Sequence, residues 1–253
     1  FHDDHLPQSP EGLCAAYAEK LDTVAGIFTL GKKPTGDKDP FGLRRASAGI
    51  VRILIEGEIS TSLSANINIA LSNFETNLDQ NQTRNLIMQF IFERFKSYLL
   101  EKNIDICIVK CIQKNSSDSI FDKFRQALAL QEFLKLEDSN HIINGQKRIK
   151  NILKKNPYKE NLHFNAELCS ENAEKTLSEN FYETKKVGEV YLENKKYLEY
   201  LSTLTKLTQS IEQFFLEVMV FDKNKETTRN RISLLSRINE HLCMLGDISE
   251  LNG

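Results

Sequence analysis

Hydrophobic residues recur every three or four positions along most of the chain, which is the spacing of one face of an α-helix. Alternating apolar and polar residues, the pattern of a strand, are hard to find, and the chain has only eleven Gly and five Pro. The pattern therefore predicts an all-α protein with short connections. The predicted helices cover residues 13–28, 43–54, 84–99, 104–112, 121–134, 142–155, 166–182, 198–218 and 232–245.

One stretch, residues 57–83, interrupts the helical pattern. It is polar, rich in Ser and Asn, and only weakly periodic. Such a composition is typical of a connection, and we interpret it as a linker that holds one short helix. The sequence thereby predicts two packed units with a boundary near residue 60.

Composition restricts the possible functions. The 33 Lys and Arg are balanced by 35 Asp and Glu, so any binding to a nucleic acid must come from local basic patches. The five cysteines form no Cys-x-x-Cys pair, which argues against a disulfide framework and a thiolate zinc site and favours a reducing, cytoplasmic compartment. Apolar runs fall far below the roughly 18 residues of a membrane span. Because the chain begins at Phe1 without a leader-like pattern, we expect an internal segment of a longer polypeptide.

Two basic clusters are candidates for phosphate contacts. The first lies on the predicted helix at 142–155, where the alternative of a solvated helix face is favoured. The second is better placed, because arginines at a helix start act together with the backbone N–H groups of the first turn. The first cluster contains Lys147, Arg148, Lys150, Lys154 and Lys155, and the second contains Lys223, Lys225, Arg229, Arg231 and Arg237.

A third basic segment is the Gly- and Pro-rich loop between the first two predicted helices. Lys33 and Lys38 lie in this loop, and Arg44 and Arg45 open the helix that follows it. The loop lacks the residue order of a Walker A motif. We therefore favour a rigid connection with a solvated basic edge over a phosphate-binding loop. Within that structural role, either Asp37 or Asp39 is a candidate cap for the next helix.

Catalytic and metal-binding patterns are weak. Asp22 is a candidate either for a metal ligand or for a buried carboxylate that pairs with Arg45 or Arg52. The pair His2-Asp3 lies in a Pro-punctuated segment that would give ligands no fixed geometry. No arrangement of a nucleophile with His and an acid can be defended, so we predict no catalytic residue and no bound metal.

Several runs of residues together resemble the β subunit of the bacterial two-subunit (α2β2) glycyl-tRNA synthetase. The C-terminal runs are similar to that family's helical anticodon-binding domain, and the resemblance extends over essentially the whole chain. The runs are Ala18–Phe28, Lys33–Phe41, Leu43–Ala46, Phe214–Phe215, Val218–Val220, Arg229–Arg231 and Gly246–Ser249.

This resemblance implies a division into four parts. Residues 1–58 would be the C-terminal portion of an HD-like domain, residues 59–83 a connection, residues 84–159 a helical linker, and residues 160–253 the anticodon-binding domain. Asp22 would stand where the last aspartate of an HD metal site falls.

The resemblance also implies a tRNA-binding role within a cytoplasmic heterotetramer. In this family the α subunit holds ATP, Mg²⁺ and glycine, and the β subunit binds tRNA(Gly), so we expect no cofactor in this chain. Two alternatives remain open, a helical scaffold that only docks the α subunit and a degenerate metal phosphohydrolase of the HD type.

Overall fold

The computed structural model describes residues 5–32, 34, 39–75, 78–113, 115, 117–156 and 163–251. These residues form α-helices and short 3₁₀ turns and contain no β-strand, which confirms the all-α prediction. None of the described helices is both long enough and apolar enough to cross a membrane. The helices are α1 (Pro10–Thr29), α2 (Leu43–Glu56), α3 (Leu63–Leu71), α4 (Gln80–Glu101), α5 (Ile106–Gln113), α6 (Ile120–Phe133), α7 (Ser139–Lys154), α8 (Asn172–Glu193), α9 (Tyr197–Leu204), α10 (Thr208–Glu217) and α11 (Lys225–Leu242).

The chain divides into two compact units. The N-terminal unit comprises Phe1–Asp105 and Ser116–Arg125, and the C-terminal unit comprises Ile106–Asn115 and Gln126–Gly253. This division does not fall in the predicted connection at 59–83, and it splits the predicted linker at 84–159 between the two units. The identity of each part as a domain stays a prediction.

The N-terminal unit is built on α1, which packs against α2 and α3, while α4 packs against α2 and α3. Side-chain caps fix where its helices begin. Ser9 Oγ accepts the backbone N–H of Gly12 at 3.1 Å before α1, and the Asp39 carboxylate accepts those of Leu43 and Arg44 at 2.8 and 2.9 Å before α2. Of the two predicted caps, Asp39 is therefore the one that the structure shows, and Asp37 lies outside the described residues.

Helix α3 explains why the structure does not divide near residue 60. Its buried residues are Leu63, Ile67, Ala70 and Leu71, and their spacing gives a nine-residue helix one apolar stripe. Because that stripe packs into the N-terminal unit, a segment that is polar on average still belongs to the core. Because residues 57–83 are polar on average, this short apolar stripe was not identified from the sequence.

The C-terminal unit packs α8 against α9 and α10, and α11 against α7 and α8. The apolar stripe predicted as one helix at 198–218 breaks into α9, a 3₁₀ turn at Thr205–Leu207 and α10. Threonines account for the break: Thr203 Oγ1 donates to the carbonyl of Tyr200 at 2.6 Å, and Thr205 Oγ1 donates to that of Ser202 at 2.9 Å. Such side-chain bonds to the preceding turn compete with the helical ladder.

Candidate nucleic-acid interface

The start of α11 is fixed by side chains. Asn224 Oδ1 accepts the backbone N–H groups of Glu226 and Thr227 at 2.9 and 3.5 Å. Just before the helix, the Asp222 N–H donates to Thr228 Oγ1 at 2.9 Å, and the Thr228 hydroxyl donates to the Asp222 carbonyl at 3.1 Å. The turn that leads into α11 is thereby held in one conformation.

Three of the predicted cations, Lys223, Lys225 and Arg229, are exposed at this helix start. The N-terminus of an α-helix also carries a partial positive charge. The exposed cations and the helix end together form a surface suited to phosphate oxygens. We call this surface the α11 face. That these three residues contact RNA stays a prediction.

Arg231 has a different role from the predicted one. It is only 4% exposed, and its Nε donates to the Glu174 carboxylate. Its Nη1 donates to the Met219 carbonyl at 2.8 Å and to the Asp222 carboxylate at 3.4 Å, and its Nη2 donates to the Ser170 hydroxyl at 3.3 Å. The predicted RNA contact by Arg231 is therefore corrected: Arg231 ties α11 to the start of α8 and to the turn before α11.

Helix geometry explains this correction. Two residues along an α-helix rotate by about 200°, so the exposed Arg229 and the buried Arg231 point to nearly opposite sides. The sequence did hold a signal, because Glu174 lies on one apolar stripe with Leu177 and Phe181, both of which are buried. An acid on such a stripe requires a buried cationic partner.

The cations of α7 are used within the protein. Lys150 Nζ donates to Asp247 Oδ2 at 2.5 Å and to Ser249 Oγ at 2.7 Å. Lys147 Nζ donates to the Leu251 carbonyl at 3.2 Å. Both side chains are half-buried, and they fasten the C-terminal segment onto α7. These internal contacts agree with the favoured alternative for this cluster, and the tRNA contacts of the two lysines stay a prediction.

Arg148 is exposed, but its guanidinium already makes contacts within the protein. Its Nη2 donates to the Phe215 carbonyl at 3.2 Å, and its guanidinium lies 4.3 Å from the centroid of the Phe215 ring. This stacking joins α7 to α10. The exposed cations at the end of α7 are Lys154 and Lys155.

Beside α11 lies an open groove of about 510 Å³. Among the predicted residues, Arg237 lines this groove and is half-buried. The other lining residues are Asn156, His163, Lys185, Glu189, Ile232, Ser233, Ser236, Glu240, His241 and Met244. Its size falls within the range of ligand-binding clefts.

His241 is the chemically unusual residue of the groove. It is 4% exposed, and its Nε2 is buried without a hydrogen-bond partner in the described part of the chain. The ring lies edge-on to Phe181 and Tyr200, with centroids 5.9 and 5.4 Å away. Burial lowers the pKa of His241 to about 4; the carboxylate of Glu189 raises it and the ammonium of Lys185 lowers it further. His241 is therefore neutral at physiological pH.

Comparison with known proteins gives two family matches. Residues 1–114 match the model described as glycyl-tRNA synthetase beta subunit, and residues 142–246 match the model described as DALR anticodon binding domain. The chain is 35% identical over 253 residues to a glycine–tRNA ligase β subunit of Coxiella burnetii. It is 32% identical over 251 residues to the proteins of that name from Methylobacillus flagellatus and Shewanella sediminis.

The chain is therefore similar over its whole length to glycyl-tRNA synthetase β subunits, and its first 114 residues match the model of that family. The matches cover 99% to 100% of this chain and 36% to 37% of each relative, so the chain spans about a third of their length. The α11 face and the groove both lie within the segment that matches the anticodon-binding model.

The remaining predicted residues lie in the N-terminal unit. Lys33 and Lys38 fall outside the described residues. Arg44 is half-buried and Arg45 is exposed at the start of α2, and both line a second groove. Their suggested contact with phosphate stays a prediction.

Asp22 does not form the predicted buried pair. It is exposed on α1, and Arg52 pairs instead with Glu56, with Nε 3.0 Å from Oε1. Within the described ranges, no three His, Cys, Asp or Glu side chains are grouped so that they could hold a metal ion. The short reach of an aspartate, together with the favourable i, i+4 spacing on α2, explains why Arg52 has a partner on its own helix.

Proposed function

We propose that this chain is a tRNA-binding region of glycine–tRNA ligase that supports the ATP-dependent attachment of glycine to tRNA(Gly) and carries no catalytic group itself. The observation that carries the proposal is the α11 face, an exposed basic surface inside the segment that matches an anticodon-binding model. The names of the relatives, all glycine–tRNA ligase β subunits, support the same function.

Two kinds of contact are available for an RNA loop. Lys223, Lys225 and Arg229 supply positive charge for backbone phosphates, which gives attraction that depends on salt but little on sequence. The neighbouring groove offers Arg237 and the polar side chains around it to the edges of unstacked bases. Phosphates would set the position of the RNA, and the groove would read it.

The proposal extends to partners and cofactors. A β subunit implies a partner subunit, and the resemblance assigns ATP, Mg²⁺ and glycine to the α subunit. The purified chain is therefore expected to bind tRNA but to give no glycine-dependent exchange of pyrophosphate into ATP. Robust exchange without the α subunit would contradict the assignment.

A filter-binding titration with tRNA(Gly) tests the α11 face. Raising salt from about 50 to 200 mM should weaken binding by one or more orders of magnitude if several phosphates are neutralised. Replacing Lys223, Lys225 and Arg229 together by Ala should weaken binding at low salt by about tenfold or more. The salt slope should fall by up to about 3, because each of the three cations would neutralise one phosphate.

The matched control is Lys206→Ala, an exposed lysine that lines a different depression between α8 and the turn at Thr205–Leu207. It should leave the affinity unchanged. Equal losses of affinity in the triple variant and the control would move the RNA surface elsewhere. Absence of any tRNA binding would favour the scaffold alternative, and phosphomonoester turnover with added divalent metal would favour the phosphohydrolase alternative.

A further inference from the structure

The N-terminal unit carries a groove of about 850 Å³ lined by residues of α1, α2 and α4 and by the segment before α1. We call it the α2–α4 groove. Among its described lining residues the only acid is Glu101, whereas the cations are Lys20, Arg44, Arg45, Arg52 and Arg94. A concave surface with this excess of positive charge favours an anionic ligand.

Two of these cations already have carboxylate partners. The Lys20 ammonium lies 3.3 Å from Glu19 Oε2. Arg52 makes a two-pronged contact with Glu56, Nε to Oε1 at 3.0 Å and Nη2 to Oε2 at 3.2 Å. The charge of these two cations is therefore largely balanced by their partners.

Arg94 is different. Its Nε is buried and has no hydrogen-bond partner among the residues that the structure describes. A buried donor without an acceptor loses its hydration and gains nothing in return. A guanidinium in this state can recover that loss by donating to an oxyanion, because its forked N–H groups match phosphate oxygens.

Gly49 shapes the groove wall on α2. A Cβ at this position would meet Cδ of Lys20 at 2.8 Å and its Cε at 2.9 Å. The bare backbone therefore lets the Lys20 stem lie across α2, where Lys20 joins the lining of the groove. The absence of a side chain brings cations from two helices to one surface.

We propose that the α2–α4 groove is a phosphate-binding site in which Arg94 donates to a phosphate oxygen and Arg45 supplies further positive charge. Arg44 and Arg45 on α2 line the same groove as Arg94 on α4, and its volume of about 850 Å³ exceeds that of one phosphate group and favours several linked phosphates. Such phosphates belong either to a polynucleotide backbone, a source that rests on the proposed function, or to a free polyphosphate, which does not.

Two probes separate these sources: inorganic tripolyphosphate, followed by calorimetric titration, and a labelled oligouridylate RNA, followed by fluorescence anisotropy. Saturable binding of either probe is expected. Arg94→Ala should weaken that binding by about tenfold or more, the range for hydrogen bonds to charged groups. Arg45→Ala, which changes an exposed side chain and leaves the fold intact, should weaken it by about twofold to fivefold.

Lys96→Ala is the matched control, because Lys96 lies on α4 but does not line the groove. Its affinity for both probes should equal that of the unaltered chain. Failure of both probes to saturate would overturn the proposal, as would equal losses of affinity in Arg94→Ala and Lys96→Ala. The triple α11 variant should retain its affinity for tripolyphosphate, so that failure of the α11 face and failure of this groove give different results.

Discussion

Helices α7 and α11 are both rich in basic residues, yet they use them differently. On α7, Lys147 and Lys150 bend back onto the C-terminal segment of the chain. On α11, Arg231 is buried in a network of hydrogen bonds, while Arg229 at two residues' distance is exposed. A cluster of charges in sequence therefore does not reveal what the charges face. Nearby hydrogen-bond acceptors in the fold determine whether a cation points into the protein or towards solvent.

The acceptors of the two helices come from different places. Those of α7 are carbonyls and side chains of the last residues, including Asp247 and Leu251. The acceptor for Arg231 is Glu174 at the start of α8, which also accepts the backbone N–H of Ser170 at 2.8 Å. Glu174 and the acceptors of the two α7 lysines lie far away in sequence, and only the fold brings them to the cations, whereas Met219 and Asp222 reach Arg231 from the turn just before α11.

The largest effect is expected at the inward side of α11. Arg231→Ala leaves the Glu174 carboxylate buried without its cation, and breaking one partner of a buried pair costs about 3 to 5 kcal/mol. The free energy of unfolding of the C-terminal unit, measured by urea denaturation, should fall by this amount.

Glu174→Gln should also destabilise the chain, whereas Arg229→Ala is the matched control on the same helix. If Arg231→Ala were as stable as the unaltered chain but bound tRNA more weakly, Arg231 would face RNA and the buried network would be wrong.

Much of the fold was predictable from the sequence. The stripes that became α1, α2, α4 and α11 are long and regular, so their period alone identified them. The break between α9 and α10 could not be predicted, because Leu201, Leu204 and Leu207 continue the apolar stripe through it. Hydrogen bonds of single threonine side chains cause that break, and the spacing of apolar residues contains no information about them.

The second effect concerns His241, also on the inward side of α11. Its pKa is lowered to about 4 from 6.5, mainly by burial. The unfolded chain therefore binds a proton between pH about 6.5 and about 4 while the folded chain does not. Stability is present above this window and is lost as pH falls through it, by about 3 kcal/mol in total at 1.36 kcal/mol per pH unit.

Replacing His241 by Phe, which retains an aromatic ring between Phe181 and Tyr200, should remove this part of the pH dependence. The measurement is the free energy of unfolding from pH 7 to pH 4. His163→Phe alters an exposed histidine in the same groove and should retain the full dependence. An unchanged slope in His241→Phe would show that other groups titrate in this window.

The candidate sites were harder to predict than the helices. Arg229 and Arg231 were treated alike because both open the last helix, and only their opposite orientation and the acid at Glu174 distinguish them. Arg94 was not predicted as a binding residue, since it is a single arginine within an amphipathic helix. Its importance depends on a groove whose walls come from three helices.

A smaller effect is expected on α7. Lys150→Met keeps the aliphatic stem but removes the hydrogen bonds to Asp247 and Ser249. Because Lys150 is a quarter exposed, solvent screens part of the loss, and we expect a cost of about 1 to 2 kcal/mol in the free energy of unfolding. Lys154→Met, at the exposed end of the same helix, should cost nothing measurable. If Lys150→Met instead weakened tRNA binding with no change in stability, α7 would be an RNA surface after all.

The smallest effect on stability, and the sharpest test of the comparison, is expected for Arg229→Ala. An exposed substitution away from a buried network changes the free energy of unfolding by no more than about 0.5 kcal/mol. The same change should weaken tRNA(Gly) binding by about twofold to fivefold at low salt and reduce the salt slope by about 1, as expected when one cation no longer neutralises a phosphate. Arg229→Ala would then weaken tRNA binding with little change in stability, whereas Arg231→Ala would lower the free energy of unfolding. Denaturation and filter binding on the two single variants measure both quantities, and a loss of stability in Arg229→Ala as large as that in Arg231→Ala would remove the distinction between the two sides of α11.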